Sequence, residues 1–123
     1  MSYLLENTKS TPKIDFNTIT LEFSIDGKCY PENAKIFFSP ITNWCENWNY
    51  AGESQLKINF YLDYISSSSV LSILNLLKLL NNKSNGNISI LWKYDDDDDE
   101  MLSAGQDFSK LVGIPFEYQS IEE

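Results

Sequence analysis

From Leu56 to Tyr64 the chain alternates without a break. Leu56, Ile58, Phe60, Leu62 and Tyr64 share one parity, and Lys57, Asn59, Tyr61 and Asp63 the other. A period of two belongs to a β-strand with one face in a core and one facing water. This run constrains the fold more than any other, because its half-polar face argues against a sheet buried on both sides. The four serines at 66–69 follow at once, then an apolar-rich helix to about Leu80. A turn carrying Gly86 leads to a second strand through Ile88, Ile90, Trp92 and Tyr94. A helix from roughly Asp98 to Leu111 comes next, ended by Gly113 and Pro115, and residues 116–120 give a last short strand.

Upstream, Ile14, Phe16, Ile19, Leu21, Phe23 and Ile25 also alternate, with Asn17-Thr18 and Asp26-Gly27 in turn positions. Asp-Gly is a strong two-residue hairpin signal, so the sequence predicts a β-meander ending near Tyr30. Pro31 stops it, and Asn33 is placed to cap a helix. Phe37, Ile41, Trp44, Cys45 and Trp48 form that helix's apolar stripe. Pro40 is expected to kink it or to mark its true first turn with Ser39 as cap, and Gly52 to close it. Strands alternating with helices imply an α/β fold with parallel crossovers, here a mixed β-sheet with helices mainly on one face. Residues 1–10 read as a flexible N-terminus and residues 11–123 as one domain.

The charge balance then removes whole classes of function. In 123 residues there are 9 basic and 18 acidic side chains, a net charge of −9, with no histidine, and every basic residue is lysine. Without histidine there is no Ser-His-Asp triad, no imidazole metal ligand and no histidine pH switch. Without arginine there is no bidentate phosphate fork. An acidic chain repels nucleic acid and anionic membranes, so neither is expected as a partner. No apolar run reaches the ~18–20 residues of a membrane span, and no signal sequence is visible. Cys29 and Cys45 lack CxxC spacing and read as two reduced, buried thiols of a cytoplasmic protein. The acidic run at 95–100 lacks the spacing and the glycine of a calcium loop. It reads as a solvated turn favoured by the following helix dipole, and neither a metal nor a cofactor is expected. No nucleophile-base pair is present, so the chain is not expected to be an enzyme.

The serine-led helix carries the most information. Its first turn offers free backbone N–H groups and the positive end of the helix dipole, where a phosphate would find donors in place. Ser66 reads as the N-cap. At 100° per residue, Val70, Ile73, Leu74, Leu76, Leu77 and Leu80 face the sheet. Leu71 and Leu79 fall outside that arc. Ser68, Ser72, Asn75 and Leu79 line one exposed edge, and Leu71 lies one turn beyond Ser67. Exposed leucines beside a hydroxyl-rich helix start suggest a partner surface that a phosphate would disrupt by desolvation cost and charge repulsion. Tyr94, at a strand end, is within reach of the same partner. The bland alternative is an acidic protein-binding or scaffold module, cation-dependent or not, whose serines only cap a helix.

Several short strings recur together. They are Ser10-Thr11-Pro12, Tyr30-Pro31-Glu32-Asn33, Phe37-Phe38 with Pro40 and Trp44, the strand-to-serine helix start, Trp92-x-Tyr94, the acidic run with Met101, and Gly105-x-Asp107. In their order and spacing they resemble the SiaC-type regulatory phosphoproteins. That resemblance implies a fold similar to the STAS-domain anti-sigma-factor antagonists. It also implies partner switching: a dedicated serine/threonine kinase modifies a hydroxyl at a helix start, and a PP2C-type phosphatase removes the phosphate. The unphosphorylated form then binds and stimulates a diguanylate cyclase. The family pattern Asn-Thr-Ser-Ser places Ser66 on the asparagine and Ser67 on the modified threonine. Both positions depart from the pattern, but Ser67 keeps an acceptor hydroxyl, with Ser66 and Ser68 as alternates.

Overall fold

In the computed structural model, which describes residues 2–122, the elements run β1 (Tyr3–Leu5), β2 (Lys13–Asn17), β3 (Glu22–Cys29), α1 (Ala34–Asn47) and β4 (Leu56–Ile65). They continue with α2 (Ser67–Lys83), β5 (Ile88–Asp95), α3 (Asp99–Val112) and β6 (Glu117–Ile121). The six strands form one sheet in the order β1-β2-β3-β4-β5-β6. β1, β2 and β3 are antiparallel neighbours, whereas β3 to β6 are parallel. The α/β class and the mixed sheet are therefore as the periodicities predict. Ile14, Phe16, Phe23, Ile25, Ile58, Phe60, Ile90 and Trp92 are buried on the sheet face that the helices cover. The intervening Asp15, Ser24, Asn59, Tyr61 and Lys93 are only half-buried. α2 lies in the middle of the helical layer, in contact with α1 on one side and α3 on the other. No helix among the described residues is long and apolar enough to cross a membrane.

Four local expectations are corrected. Residues 1–10 are not all loose: β1 pairs with β2, Tyr3 opposite Phe16, and the Tyr3 ring lies 5.6 Å from Trp44. An aromatic anchor thus ties down a segment that looked merely polar; Met1, like Glu123, lies outside the described residues. Asp26-Gly27 is no hairpin turn, because β3 runs straight through it to Cys29. Gly27, at φ +118°, sits instead where the β3–β4 register shifts, the backbone freedom of glycine serving a bulge. The real hairpin turn lies between β2 and β3, where the Asn17 side chain accepts hydrogen bonds from the N–H groups of Ile19 and Thr20.

The other two concern α1. It starts at the Asn33 cap, whose Oδ1 accepts the Ile36 N–H at 3.1 Å, and continues through Pro40 without using Ser39 as a second start. It ends at Asn47, and Gly52 serves a different purpose. A Cβ on Gly52 would stand 2.3 Å from the Ser84 carbonyl oxygen, so glycine lets this loop lie against the end of α2.

The end of α3 follows expectation, with Gly113 in the left-handed conformation closing it. Trp92 is the largest fully buried side chain and donates its indole N–H to the Met101 carbonyl at 2.9 Å. Cys29 and Cys45 are both buried and unpaired.

Candidate functional site

The carboxyl ends of the parallel strands β3, β4 and β5 share one edge of the sheet, and the serine turn sits there. Cys29 and Ile65, the last residues of β3 and β4, are register partners, and the Ser66 N–H donates to the Cys29 carbonyl at 2.8 Å. The chain then turns into α2 with Ser66 in extended conformation as N-cap. Ser66 is the cap by position only, because its hydroxyl bonds to no backbone N–H of the first turn. Its Oγ lies 2.9 Å from Ser69 Oγ and 3.2 Å from Ser68 Oγ. Ser69 is fully buried and hydrogen-bonds the Cys29 thiol, which burial nevertheless holds above the usual thiol range. The four serines are therefore not equivalent. Ser69 is a core residue, Ser66 is half-buried and engaged, and Ser68 is exposed but engaged. Ser67 is exposed, and among the described residues its hydroxyl has no hydrogen-bond partner.

The rim of this turn is more apolar than the wheel predicts. Leu71 is 63% exposed, as expected, but Val70 is 38% exposed where the sequence placed it in the sheet-facing arc. The reason is that α3 lies beside α2 without closing over it. Val70 borders a shallow depression with Ala104, Asp107, Phe108 and the exposed Leu111. Val70 and Leu71 are three and four residues after Ser67, so all three share a flank of the helix. On the opposite flank, Ser72 and Asn75 line a groove of about 620 Å³ with Lys35, Ser39, Thr42, Asn43 and Glu46 of α1. Leu79 is not the exposed residue that the sequence suggested. It is half-buried against the core, because α1 covers that side of α2. Tyr94 is likewise half-buried against the core at the end of β5.

Two features escaped the sequence. Tyr30 and Tyr64 meet edge-on, with ring centroids 5.6 Å apart, and remain 40% and 53% exposed beside the serine turn. Tyr30 follows the last residue of β3 and Tyr64 is the penultimate residue of β4, so the two parallel strands bring both rings to the same end of the sheet. Lys35 enters the α1–α2 groove, and only the pairing of the two helices could have placed it near Ser72. The acidic run is spread over different tasks. The Tyr61 hydroxyl donates to Asp95 Oδ1, Asp98 Oδ1 accepts the Met101 N–H at 3.0 Å as the cap of α3, and Asp99 and Glu100 occupy that helix's first turn. Among the described residues no group of three or more carboxylates or thiols is arranged to hold a metal ion.

Comparison with known proteins gives this geometry a context. Residues 5–121 match the family model described as SiaC family regulatory phosphoprotein. The chain is 27% identical over 121 residues to the uncharacterized protein PA14_02130 of Pseudomonas aeruginosa (strain UCBPP-PA14), covering 97% of this chain and 96% of that one. Its fold superposes on the crystal structure of apo-SiaC from Pseudomonas aeruginosa with a TM-score of 0.85 at 26% identity, over 98% of this chain and 99% of that chain. It matches equally well, with a TM-score of 0.85 at 26% identity over 97% and 99% of the two chains, the SiaC solved in complex with the diguanylate cyclase SiaD, which it activates. The resemblance drawn from the short strings thus extends over nearly the whole length: the chain belongs to the SiaC family of regulatory phosphoproteins and is a regulator, not an enzyme.

Proposed function

We propose that this chain is a partner-switching phosphoprotein of the bacterial cytoplasm, modified reversibly on Ser67. A serine/threonine kinase adds the phosphate, a PP2C-type phosphatase removes it, and the unphosphorylated form binds and regulates an output protein such as a diguanylate cyclase. The observation that carries this reading is Ser67 itself, an exposed hydroxyl with no hydrogen-bond partner at the start of α2 in a family of phosphoproteins. Support for the output partner comes from the relative solved with a diguanylate cyclase. The surface that would read the switch is the rim around Ser67, with Ser68 and Leu71, continued by Ser72 and Asn75 on the α1-facing flank of the same helix. Tyr94 and Leu79 contribute less, being packed against the core. A dianion on Ser67 would stand beside the exposed Val70 and Leu71. A partner side chain closing on those residues would have to desolvate it, and an acidic partner group would be repelled.

The test compares the wild type, Ser67→Ala and Ser67→Asp for binding to SiaD of Pseudomonas aeruginosa by calorimetry. Ser67→Ala should bind as the wild type does, and Ser67→Asp at least roughly tenfold more weakly, as expected of a buried, unpaired charge at an interface. Equal affinity of the Ala and Asp variants would remove the switch. Intact mass of the chain recovered from its own host should show one phosphate that falls to a minor fraction in Ser67→Ala. A calcium-dependent melting shift without any phosphate would favour a scaffold module instead.

A further inference from the structure

We infer that Ser66 is a positioning residue that selects the acceptor among four adjacent serines, by holding the hydroxyls of Ser68 and Ser69 and leaving that of Ser67 free. The inference rests on the reading of Ser67 as the acceptor and adds the device that makes it so. The transfer itself fixes what an acceptor needs. Its Oγ attacks the γ-phosphorus of a nucleoside triphosphate held by the kinase, and the bond from that phosphorus to the β–γ bridging oxygen breaks. The nucleoside diphosphate leaves, and the hydroxyl proton passes to a base of the kinase. The attacking oxygen must therefore be accessible and have its lone pairs and proton available.

Sequence alone offers four such groups, and the structure withdraws three of them. Ser69 is fully buried, with its oxygen 2.9 Å from Ser66 Oγ and a further hydrogen bond to the Cys29 thiol. Ser66 is half-buried and bonded to two hydroxyls at once. Ser68 is as exposed as Ser67, and only the 3.2 Å contact with Ser66 Oγ distinguishes the two. That contact is the discriminating one. The Ser66 hydroxyl is free to make it because it does not cap the helix backbone. Burial alone removes Ser69, but no burial argument separates Ser67 from Ser68.

The experiment is phosphosite mapping by tandem mass spectrometry on the full chain, tagged and expressed in its own host, as wild type and as Ser66→Ala, Ser66→Thr, Ser67→Ala and the Ser66→Ala/Ser67→Ala pair. The wild type should carry phosphate on Ser67. Ser66→Ala should raise the Ser68 to Ser67 ratio roughly fivefold, the factor that corresponds to one released hydrogen bond. Ser66→Thr keeps a hydroxyl at the same place and should restore the wild-type ratio, which a merely structural role for Ser66 would not require. The double variant should carry roughly five times more phosphate on Ser68 than Ser67→Ala alone. Circular dichroism melts confirm that each variant is folded; Ser66→Gly, which removes the hydroxyl and is tolerated at an N-cap, keeps the comparison decisive if the Ala variant is not. An unchanged ratio in Ser66→Ala, with phosphate still on Ser67, would overturn the selector and leave the acceptor reading standing. Phosphate persisting at the wild-type level in Ser67→Ala with Ser66 intact, or none on any wild-type serine, would overturn the acceptor reading and the selector with it.

Discussion

At Gly105 a missing side-chain carbon sets how close α3 can lie to the sheet. A Cβ there would stand 2.5 Å from Cδ1 and 2.6 Å from Nε1 of Trp92, inside van der Waals contact. Trp92 cannot yield, since it is fully buried, lies 5.0 Å from Phe60 and 5.7 Å from Phe108 between ring centroids, and is tied to the Met101 carbonyl. Gly105→Ala is therefore expected to destabilise the fold by about 1–3 kcal/mol through overpacking, even though alanine is the better helix former. Urea unfolding would measure this, and an unchanged or raised midpoint would show that α3 can shift outward at little cost. The Gly105-x-Asp107 string was visible in the sequence as a family feature, but its reason was not, because a close approach between elements has no local signature. The same holds at Ser66. Its place at the helix start was legible, whereas the hydroxyls that it bonds depend on the burial of Ser69 and the position of Cys29 on another strand.

Element by element, the helix caps were legible in part. Asn33 caps α1 as its position suggests, and Asp98, which the sequence placed only near the start of α3, proves to be that helix's cap, each accepting the N–H three residues on. Where the reading of an element failed, a stronger local signal misled it. Asp26-Gly27 is a strong hairpin dipeptide, yet pairing with β4 carries β3 on through it to Cys29. Pro40 looked like a helix start, but the Asn33 cap and the buried Ala34, Phe38, Ile41 and Cys45 stripe carry α1 past it. Its missing N–H and ring oppose the helix at an exposed position, so Pro40→Ala should raise stability by about 1 kcal/mol or more in thermal melts. A loss of stability would mean that the proline ring contributes more to α1 than its missing N–H costs. At the start of α2, the first turn holds no acidic residue. Ser67→Asp should therefore raise the stability of the isolated chain by about 0.3–1 kcal/mol through the helix dipole. Partner binding should fall in the same variant. That opposition separates a switch from simple damage: a variant that lost binding and melting temperature together would have been unfolded, not switched.

At the scale of the whole molecule, one sheet face carries all three helices and their core, and the thiols buried in that core couple folding to pH. Burial pushes Cys45 up to about 12, with Glu46 adding to the shift and Lys83 opposing it; burial also raises Cys29. Both groups bind their proton more tightly folded than unfolded, where the thiol value is 9.0. Between pH 9 and about 12 the unfolded chain therefore releases protons that the folded chain retains, and stability must fall as pH rises. Below pH 9 both states are protonated and these groups contribute no slope. The expected melting temperature is thus independent of the thiols up to about pH 9 and declines steadily above it, with no counterpart on the neutral side, since the chain has no histidine to titrate there. Cys45→Ala should begin from a lower melting temperature, because it leaves a cavity under α1, yet show a shallower alkaline decline. A variant decline as steep as the wild type's would assign the alkaline loss to groups other than Cys45. Sequence placed Cys45 on the buried stripe of α1, but its titration depends on the end of α2 bringing Lys83 near, a contact that exists only once the two helices are laid side by side.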